Sequence, residues 1–447
     1  MLNHGYQKPK NPMPLKLPSI TSIKNRTVLV RVDFNVPLTL DKTTGERLVR
    51  DATRLRAARR TIEWLREHGA KIILASHLGR PKCNQLDKSG KTTDEADAQF
   101  SLKPVEMYLK TQFHWPVTLV PDCVGEVVET TVAALEPGEM VLLENLRFYP
   151  AEKKNEAWFA RGLAKLCEVY LNEAFSNCHR NHASMTGVPM LRPSFAGFEL
   201  KQEIDHLSQV ITKPHRPLVV IVGGAKIADK IGALENLSNV ADAVLVGGGI
   251  ANDFLKSQGI EIHRSFIQDT PIDANQKNLN YVTVAGEIIS EHKTERVLKD
   301  GYIPLPKIIY PVDAVAARSA EAEKTVIVDL THDIQDTDKD KPLMYLDIGP
   351  KTTQLYCELI KTAGTVFWNG PVGVYEKPQF AAGSRAIAQA MAKTTAVTII
   401  GGGDTIAALQ QFKLADRMDY LSAAGSAALE FLSGAALPGL VALERSR

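Results

Sequence analysis

Along the chain, short runs of β-branched and aliphatic residues alternate with segments whose apolar positions recur at helical spacing. Thr27-Val-Leu-Val-Arg-Val32 reads as a strand and leads into Asp33-Phe-Asn-Val-Pro37. After a polar, turn-rich stretch, Leu55, Ala58, Ile62 and Leu65 fall on one face of a helix, and Gly69 stands where a C′ residue would close it. Lys71-Ile-Ile-Leu-Ala75 is the next strand, ending in Ser76-His-Leu-Gly-Arg-Pro81. The same alternation fills both halves of the chain, which predicts parallel α/β architecture. Between the halves, Leu200, Ile204, Leu207 and Ile211 step by four, three and four residues. Pro193 precedes this stripe and Pro214 and Pro217 follow it, so a bounded helix is expected over 198–212. Two polar stretches, Cys83 to Gln99 and residues 265–300, are expected to be surface loops.

The expected fold is therefore α/β, with two doubly wound, Rossmann-like parallel-sheet domains joined by a hinge helix. The boundaries read from the pattern are an extension at 1–20, a first domain at 21–197, the connecting helix at 198–212 and a second domain at 213–422. A C-terminal segment, 423–447, is expected to pack back towards the N-terminal domain.

Ligands of open parallel sheets sit at the carboxyl ends of the strands, so the residues after each apolar run carry the information. In the first half these are polar and cationic: Asp33 and Asn35, His77 and Arg80, Asn145 and Arg147, then a loop with His179, Arg180 and His182. Arg54 starts the first helix near the same rim. Converging guanidinium groups suit a small ligand carrying phosphate and carboxylate, which they bind bidentately. In the second half the strand ends are glycine-rich: Gly223-Gly-Ala-Lys226, Gly247-Gly-Gly249, Asp347-Ile-Gly-Pro350, Asn369-Gly-Pro371 and Gly401-Gly-Gly-Asp-Thr405. Such loops let backbone amides approach a polyanion. Lys226 and Lys230 add cations, and Asp404 is a candidate Mg²⁺ carboxylate. A nucleotide site is expected there.

Composition sharpens this division. Residues 1–200 hold 10 Gly and 14 Arg, and the remainder holds 20 Gly and 8 Arg, so the halves differ in chemistry. Lys+Arg 53 against Asp+Glu 51 gives a formal charge of +2, which leaves no global basic field for nucleic acid. No apolar run reaches the roughly 18 residues of a membrane span, and Met1 to Ile20, dotted with prolines, lacks the apolar core of a secretory signal. Five cysteines, none in C-x-x-C spacing, fit a reducing cytoplasm. Two motifs mislead. Ser89-Gly-Lys-Thr92 resembles the tail of a phosphate-binding loop, but Gln85 stands where its first glycine belongs. The triple glycines lack the dinucleotide pattern G-x-G-x-x-G, because Asn252 and Ile406 fill its last positions; this argues against a nicotinamide dehydrogenase.

Seven segments in this order resemble the phosphoglycerate kinase family, over about residues 20–440. They are Arg31–Pro37, Ser76–Pro81, Leu142–Phe148, His179–Ser184, Gly223–Lys230, Trp368–Glu376 and Gly401–Thr405. The resemblance implies a glycolytic and gluconeogenic enzyme that moves a phosphoryl group reversibly between 1,3-bisphosphoglycerate and ADP, giving 3-phosphoglycerate and ATP. It implies that 3-phosphoglycerate sits on Asp33, Asn35, Arg54, His77, Arg80, Arg147 and Arg180. ADP or ATP with Mg²⁺ would use Gly223, Gly224, Gly248, Gly349, Gly401, Gly402 and Gly403, with Glu376 on the ribose. Lys230, Asn369 and Thr405 would lie at the phosphates, and Asp404 at the metal. Arg54, Lys226 and Lys230 would be catalytic, with domain closure bringing the ligands together. Small-molecule partners and a monomer are expected, with no nucleic acid or membrane partner.

The likeness has departures. The family's S-T-G-G-G-A-S-L-E reads Ser422-Ala-Ala-Gly-Ser-Ala-Ala-Leu-Glu430, its N-D-A-F-G reads Asn172-Glu-Ala-Phe-Ser176, and its G-G-x-M-A-x-T-F reads Gly248-Gly-Ile-Ala-Asn-Asp-Phe254. Ala424 and Ser426 stand for glycines whose conformations a Cβ can forbid. They support an alternative, a nucleotide-binding homologue with weakened catalysis and a regulatory role.

Overall fold

The computed structural model describes residues 15–268, 280–292, 306–331, 342–422 and 424–446. Most of the expected extension at 1–20 lies outside the described residues. The chain divides into two units. One runs to Asp205 and takes in Ala436 onward; the other spans His206–Ala435. The division falls inside a continuous helix, Phe198–Thr212.

The strands of the first unit are β1 (Thr27–Arg31), β2 (Leu38–Leu40), β3 (Arg47–Val49), β4 (Lys71–Ala75), β5 (Val117–Val120), β6 (Met140–Leu143), β7 (Val169–Asn172) and β8 (Ser194–Ala196). β2 and β3 pair as a small antiparallel ribbon. The other six form one sheet in the order β5-β6-β4-β1-β7-β8, with every pairing parallel. All residues of β6 and β7 are buried, as expected of a parallel sheet covered on both faces. One side of the core is built from Val28, Val30, Ile72, Leu74, Leu142 and Leu171. Outward from β1 the strands are β4, β6 and β5 on one side and β7 and β8 on the other, so the order reverses between β1 and β7.

The second unit holds β9 (Leu218–Val222), β10 (Ala243–Val246), β11 (Ile308–Ile309), β12 (Asp313–Ala317), β13 (Val326–Asp329), β14 (Met344–Ile348), β15 (Thr365–Asn369), β16 (Val397–Gly401) and β17 (Tyr420–Ser422). Its main sheet is parallel, in the order β11-β10-β9-β15-β16-β17, and reverses between β9 and β15. Val219, Ile221, Val366, Trp368 and Ile400 anchor its core.

The pattern reading differs from the structure in four places. The helix expected through Leu55 and Leu65 is two helices, Thr53–Ala57 and Arg59–Glu67, meeting at Ala58; Gly69 follows with φ +75°. The strand expected to end at Asp347-Ile-Gly-Pro350 is β14, which belongs to a separate antiparallel sheet, β13-β12-β14, and not to the parallel one. Residues 265–300 are not one loop. Asn280 caps a helix, Tyr281–Glu291, whose Tyr281, Val284, Ala285 and Ile288 are buried as the helix packs on Gly248–Ser257. Positions 269–279 and 293–300 of that stretch lie outside the described residues. Finally, the polar stretch Cys83–Gln99 is folded around a buried carboxylate. Asp97 accepts from Lys82 N at 2.8 Å, Cys83 N at 2.8 Å and Thr92 Oγ1 at 2.9 Å.

At the C-terminus, the helix Ser426–Leu432 packs on Ile231–Val240 in the second unit. The following helix, Pro438–Arg445, lies against Ala183–Gly187 of the first, where Gly439 N donates to Cys178 O at 2.9 Å.

Candidate functional site

Each parallel sheet sets several of its candidate residues in the loops beside the reversal of its strand order, the position at which open α/β sheets form a crevice. In the first unit, Asp33 follows β1 and Ser176 follows β7. Asp33 Oδ2 accepts from Arg54 Nη1 at 2.8 Å and from Ser176 Oγ. Arg54 Nη1 also donates to Asn35 O at 3.2 Å, and Asn35 Oδ1 accepts from Gly79 N at 2.9 Å. The loops after β1, β4 and β7 are thus tied together by the residues expected to bind substrate.

Behind this rim lies a cationic cluster. Arg147, buried in the turn after β6, donates from Nη1 to Gly79 O at 2.6 Å. Its Nε is buried with no hydrogen-bond partner among the described residues, so a donor remains for a ligand. Burial, then the charges of Arg180 and Arg31, push the Arg147 guanidinium down to about 10. Burial also lowers Arg180, with Asp33 opposing and Arg31, Arg80 and Arg54 adding to the fall. His77 is buried and held well below the usual histidine range by burial and by Arg31, Arg147 and Arg180. Arg80 is exposed beside them. Mutual repulsion among these groups makes a bound dianion favourable, because it relieves the repulsion and supplies bidentate acceptors.

Sequence reasoning gave no role to three members of this cluster, Arg31, Glu152 and Ser184, and read His182 only as part of the loop after β7. Arg31 is 1% exposed, and its guanidinium donates to Ser184 Oγ at 2.9 Å from Nε and to Val32 O from Nη1; Nη2 stands 3.2 Å from His77 Nδ1. Ser184 in turn donates to Glu152 from both Oγ (2.5 Å) and N (2.9 Å). The one available signal was Arg31 itself, a charge at the end of an otherwise apolar strand.

In the second unit, glycine builds the strand ends. Gly223 N donates to Asn369 O at 2.9 Å and Gly224 N to Pro371 O at 2.7 Å, which locks the loop after β9 to the loop after β15. A Cβ on Gly223 would collide with the Pro371 carbonyl, so only glycine fits this approach. Lys230 straddles the reversal: its Nζ donates to Gly223 O at 2.6 Å and to Asn369 O at 3.1 Å. Burial lowers its ammonium to about 8, opposed by Asp404 and Asp229. Asn369 is buried, and its Nδ2 has no partner among the described residues, a second donor left for a ligand. Gly248 N donates to Val372 O at 2.9 Å, bringing the loop after β10 to the same edge.

The other expected nucleotide residues divide. Gly402 caps the helix Gly403–Gln411 with φ +89°, and Asp404 stands exposed in its first turn. An exposed hard-oxygen donor beside this glycine-rich edge fits Mg²⁺, which takes one or two protein carboxylates plus substrate phosphates. Among the described residues there is no group of three or more His, Cys, Asp or Glu placed to hold a metal without such phosphates. Thr405 is buried, and its hydroxyl is engaged within the loop, accepting from Gly370 N at 2.7 Å and donating to Gly401 O at 2.9 Å. Gly349 follows β14 of the separate sheet and caps the helix Pro350–Thr362. Glu376 and Lys226 are exposed. In the divergent segment, Ala424 and Ser426 have no positive φ; the left-handed φ of +57° falls on the retained Gly425. No helix among the described residues is long and apolar enough to cross a membrane.

A family model described as "Phosphoglycerate kinase" matches residues 19–435. A phosphoglycerate kinase of Moorella thermoacetica is 43% identical over 421 residues, covering 94% of this chain and 97% of the relative. One of Herpetosiphon aurantiacus is 42% identical, covering 94% and 96%. The solved phosphoglycerate kinase of Coxiella burnetii superposes with a TM-score of 0.78 at 34% identity, covering 97% of this chain and all of that one. With the same order of motifs and the same two parallel sheets, the chain belongs to the phosphoglycerate kinase family.

Proposed function

We propose that this protein transfers a phosphoryl group reversibly between 1,3-bisphosphoglycerate and ADP, a phosphotransferase reaction with a carboxyl group as acceptor. The observation that carries the reading is the buried cationic cluster at the β1/β7 reversal, where Arg147 Nε has no partner among the described residues and Asp33 is tied to Arg54. In this reading His77, Arg80, Arg147 and Arg180 grip the substrate phosphate, while Asp33, Asn35 and Arg54 orient the rest of the ligand. Lys230, Asn369 and the glycine amides at the β9/β15 reversal receive the nucleotide phosphates, with Glu376 assigned to the ribose and Gly349 to the same ligand. Asp404 would hold Mg²⁺, which when bound neutralises phosphate charge.

The chemistry asks little covalent help of the protein, because the acceptor is already an anionic carboxylate oxygen. Positioning and charge stabilisation are what the chain supplies. Arg54 and Lys226 neutralise charge on the moving group. The proposal includes a closing motion about the Phe198–Thr212 helix during turnover, since in-line transfer needs the ligands in contact. Five free thiols support a reducing compartment such as the cytoplasm. The test is a coupled assay of ATP consumption dependent on 3-phosphoglycerate. A rate well above a heat-inactivated control is expected; no rate above it would refute the assignment.

A further inference from the structure

Glu152, Ser184, Arg31 and His77 form a hydrogen-bonded chain beneath the cationic cluster, and each residue is at most 3% exposed. The sense of every bond can be fixed from the chemistry of its atoms. A guanidinium only donates, so the Arg31 Nη2 that stands 3.2 Å from His77 Nδ1 makes that nitrogen an acceptor. The imidazole proton must then reside on Nε2. Arg31 Nε donates to Ser184 Oγ at 2.9 Å, which leaves the serine hydrogen for Glu152 Oε1 at 2.5 Å. Ser184 N donates to the other oxygen, Oε2, at 2.9 Å. All the hydrogens on this side run towards the carboxylate, and the chain ends there.

Charged groups crowd both ends of this chain. Arg31, Arg147, Arg180 and His182 face His77, and all of them disfavour an added proton. Arg31, Arg147 and Ser184 face Glu152, with His182 Nδ1 3.8 Å from Oε1. Burial and the neighbouring guanidinium groups lower His182 to about 3, so its ring is no cation here. Burial raises the Glu152 carboxyl, while Arg31, the Ser184 hydrogen bonds and Arg147 oppose the rise; through Ser184, this buried carboxyl anchors Arg31 among the other guanidinium groups.

We propose that Glu152 is a positioning residue: through Ser184 and Arg31 it holds His77 in the tautomer that presents Nε2–H to the substrate phosphate. The inference rests on His77 contacting that phosphate. Its consequence is that this contact does not titrate between pH 6 and pH 8, where an ordinary histidine would.

The test uses the full chain labelled with ¹⁵N. Long-range ¹H–¹⁵N spectra of wild type should show His77 protonated on Nε2 at both pH 6 and pH 8. In Glu152→Gln the amide offers one acceptor oxygen where the carboxylate offered two, so Arg31 loses its anchor. The His77 signal should then show mixed tautomers or titrate within that range. The dissociation constant for 3-phosphoglycerate should rise about tenfold, as for the loss of a charge-assisted hydrogen bond, with that for ADP unchanged. Ser184→Ala cuts the same chain by removing only a hydroxyl; it should give the same spectroscopic change and carries the test if Glu152→Gln does not fold. A His77 tautomer and 3-phosphoglycerate affinity unchanged in these variants would overturn the proposal, while a loss of affinity in His77→Ala would leave the site assignment standing. If His77→Ala binds 3-phosphoglycerate as wild type does, the site assignment falls and the proposal with it.

Discussion

Lys230 offers a test in which ligand affinity and fold stability should respond to pH in opposite directions. Its Nζ is held by two carbonyl oxygens at the β9/β15 reversal, and burial lowers it to about 8 from an ordinary 10.5. If the charged ammonium meets the nucleotide phosphates, the binding-competent fraction is about 0.9 at pH 7 and about 0.1 at pH 9. ADP affinity should therefore fall roughly tenfold between those values, about 1.4 kcal/mol. Bound phosphates raise the lysine again, so binding at pH 8 should take up about half a proton. Stability runs the other way. Between about 8 and 10.5 the unfolded chain holds a proton that the folded chain has released, so this residue's contribution to stability rises with pH.

Isothermal titration of Mg–ADP at pH 8 in two buffers of different ionisation enthalpy measures the proton uptake. A series from pH 7 to pH 9 measures the affinity, and denaturant unfolding over pH 8–10 measures stability, each against Lys230→Met to isolate this group. Affinity that stays flat in wild type, with no proton uptake, would refute the placement of Lys230 at the phosphates.

Three further outcomes are expected. Glu173, buried beneath the start of the Phe198–Thr212 helix, accepts from Glu199 N and Leu200 N at 3.2 and 3.4 Å, and burial pushes its carboxyl up to about 8. The folded chain thus keeps a proton that the unfolded chain loses, and stability falls as pH rises from about 4.5 to 8; the loss should shrink in Glu173→Gln, and an equal pH dependence of the melting temperature in both would count against it. Arg54→Ala should lower turnover about 10³-fold while ADP affinity holds, and unchanged turnover would remove Arg54 from the transition state. Ala424→Gly with Ser426→Gly should lower stability, by up to about 1 kcal/mol per site, without raising turnover, because neither position uses a glycine conformation; a faster double variant would show that the side chains crowd the loop.

The parallel cores were legible because β-branched runs such as Leu218–Val222 are continuous and buried on both faces. The candidate site was legible for the same reason: polar residues stand out directly after such runs. What escaped notice had weaker or averaged signals. β12, Asp313–Ala317, is mostly alanine, and its antiparallel partners β13 and β14 meet it through pairings that no local pattern encodes. The helix Tyr281–Glu291 lies between polar stretches that mask its apolar stripe in a wide window. Glu152 sits in Ala-Glu-Lys-Lys, which reads as solvated surface; only the fold shows that its carboxylate faces Ser184 and Arg31. Burial of a charge depends on partners distant in sequence, and spacing alone does not report them.

The contrast between the two reversals follows from the ligands each would take. A three-carbon phosphate is small and its charges are localised, so side chains with fixed forks, such as Arg147 and Arg180, must reach it from several loops. A nucleotide is extended, and its phosphates can lie along backbone amides, provided that no Cβ intervenes; Gly223, Gly370 and Gly402 meet that condition, and the φ of +93° and +89° at the latter two are open to few other residues. The divergent 422–426 segment obeys the same rule. Among its described residues the left-handed one is still glycine, Gly425, and the positions that changed, Ala424 and Ser426, are not among those with positive φ. Replacing a glycine there removes conformational freedom from the unfolded chain and leaves the amides in place. The one feature that favoured a weakened catalyst therefore marks only where the loop can tolerate a side chain.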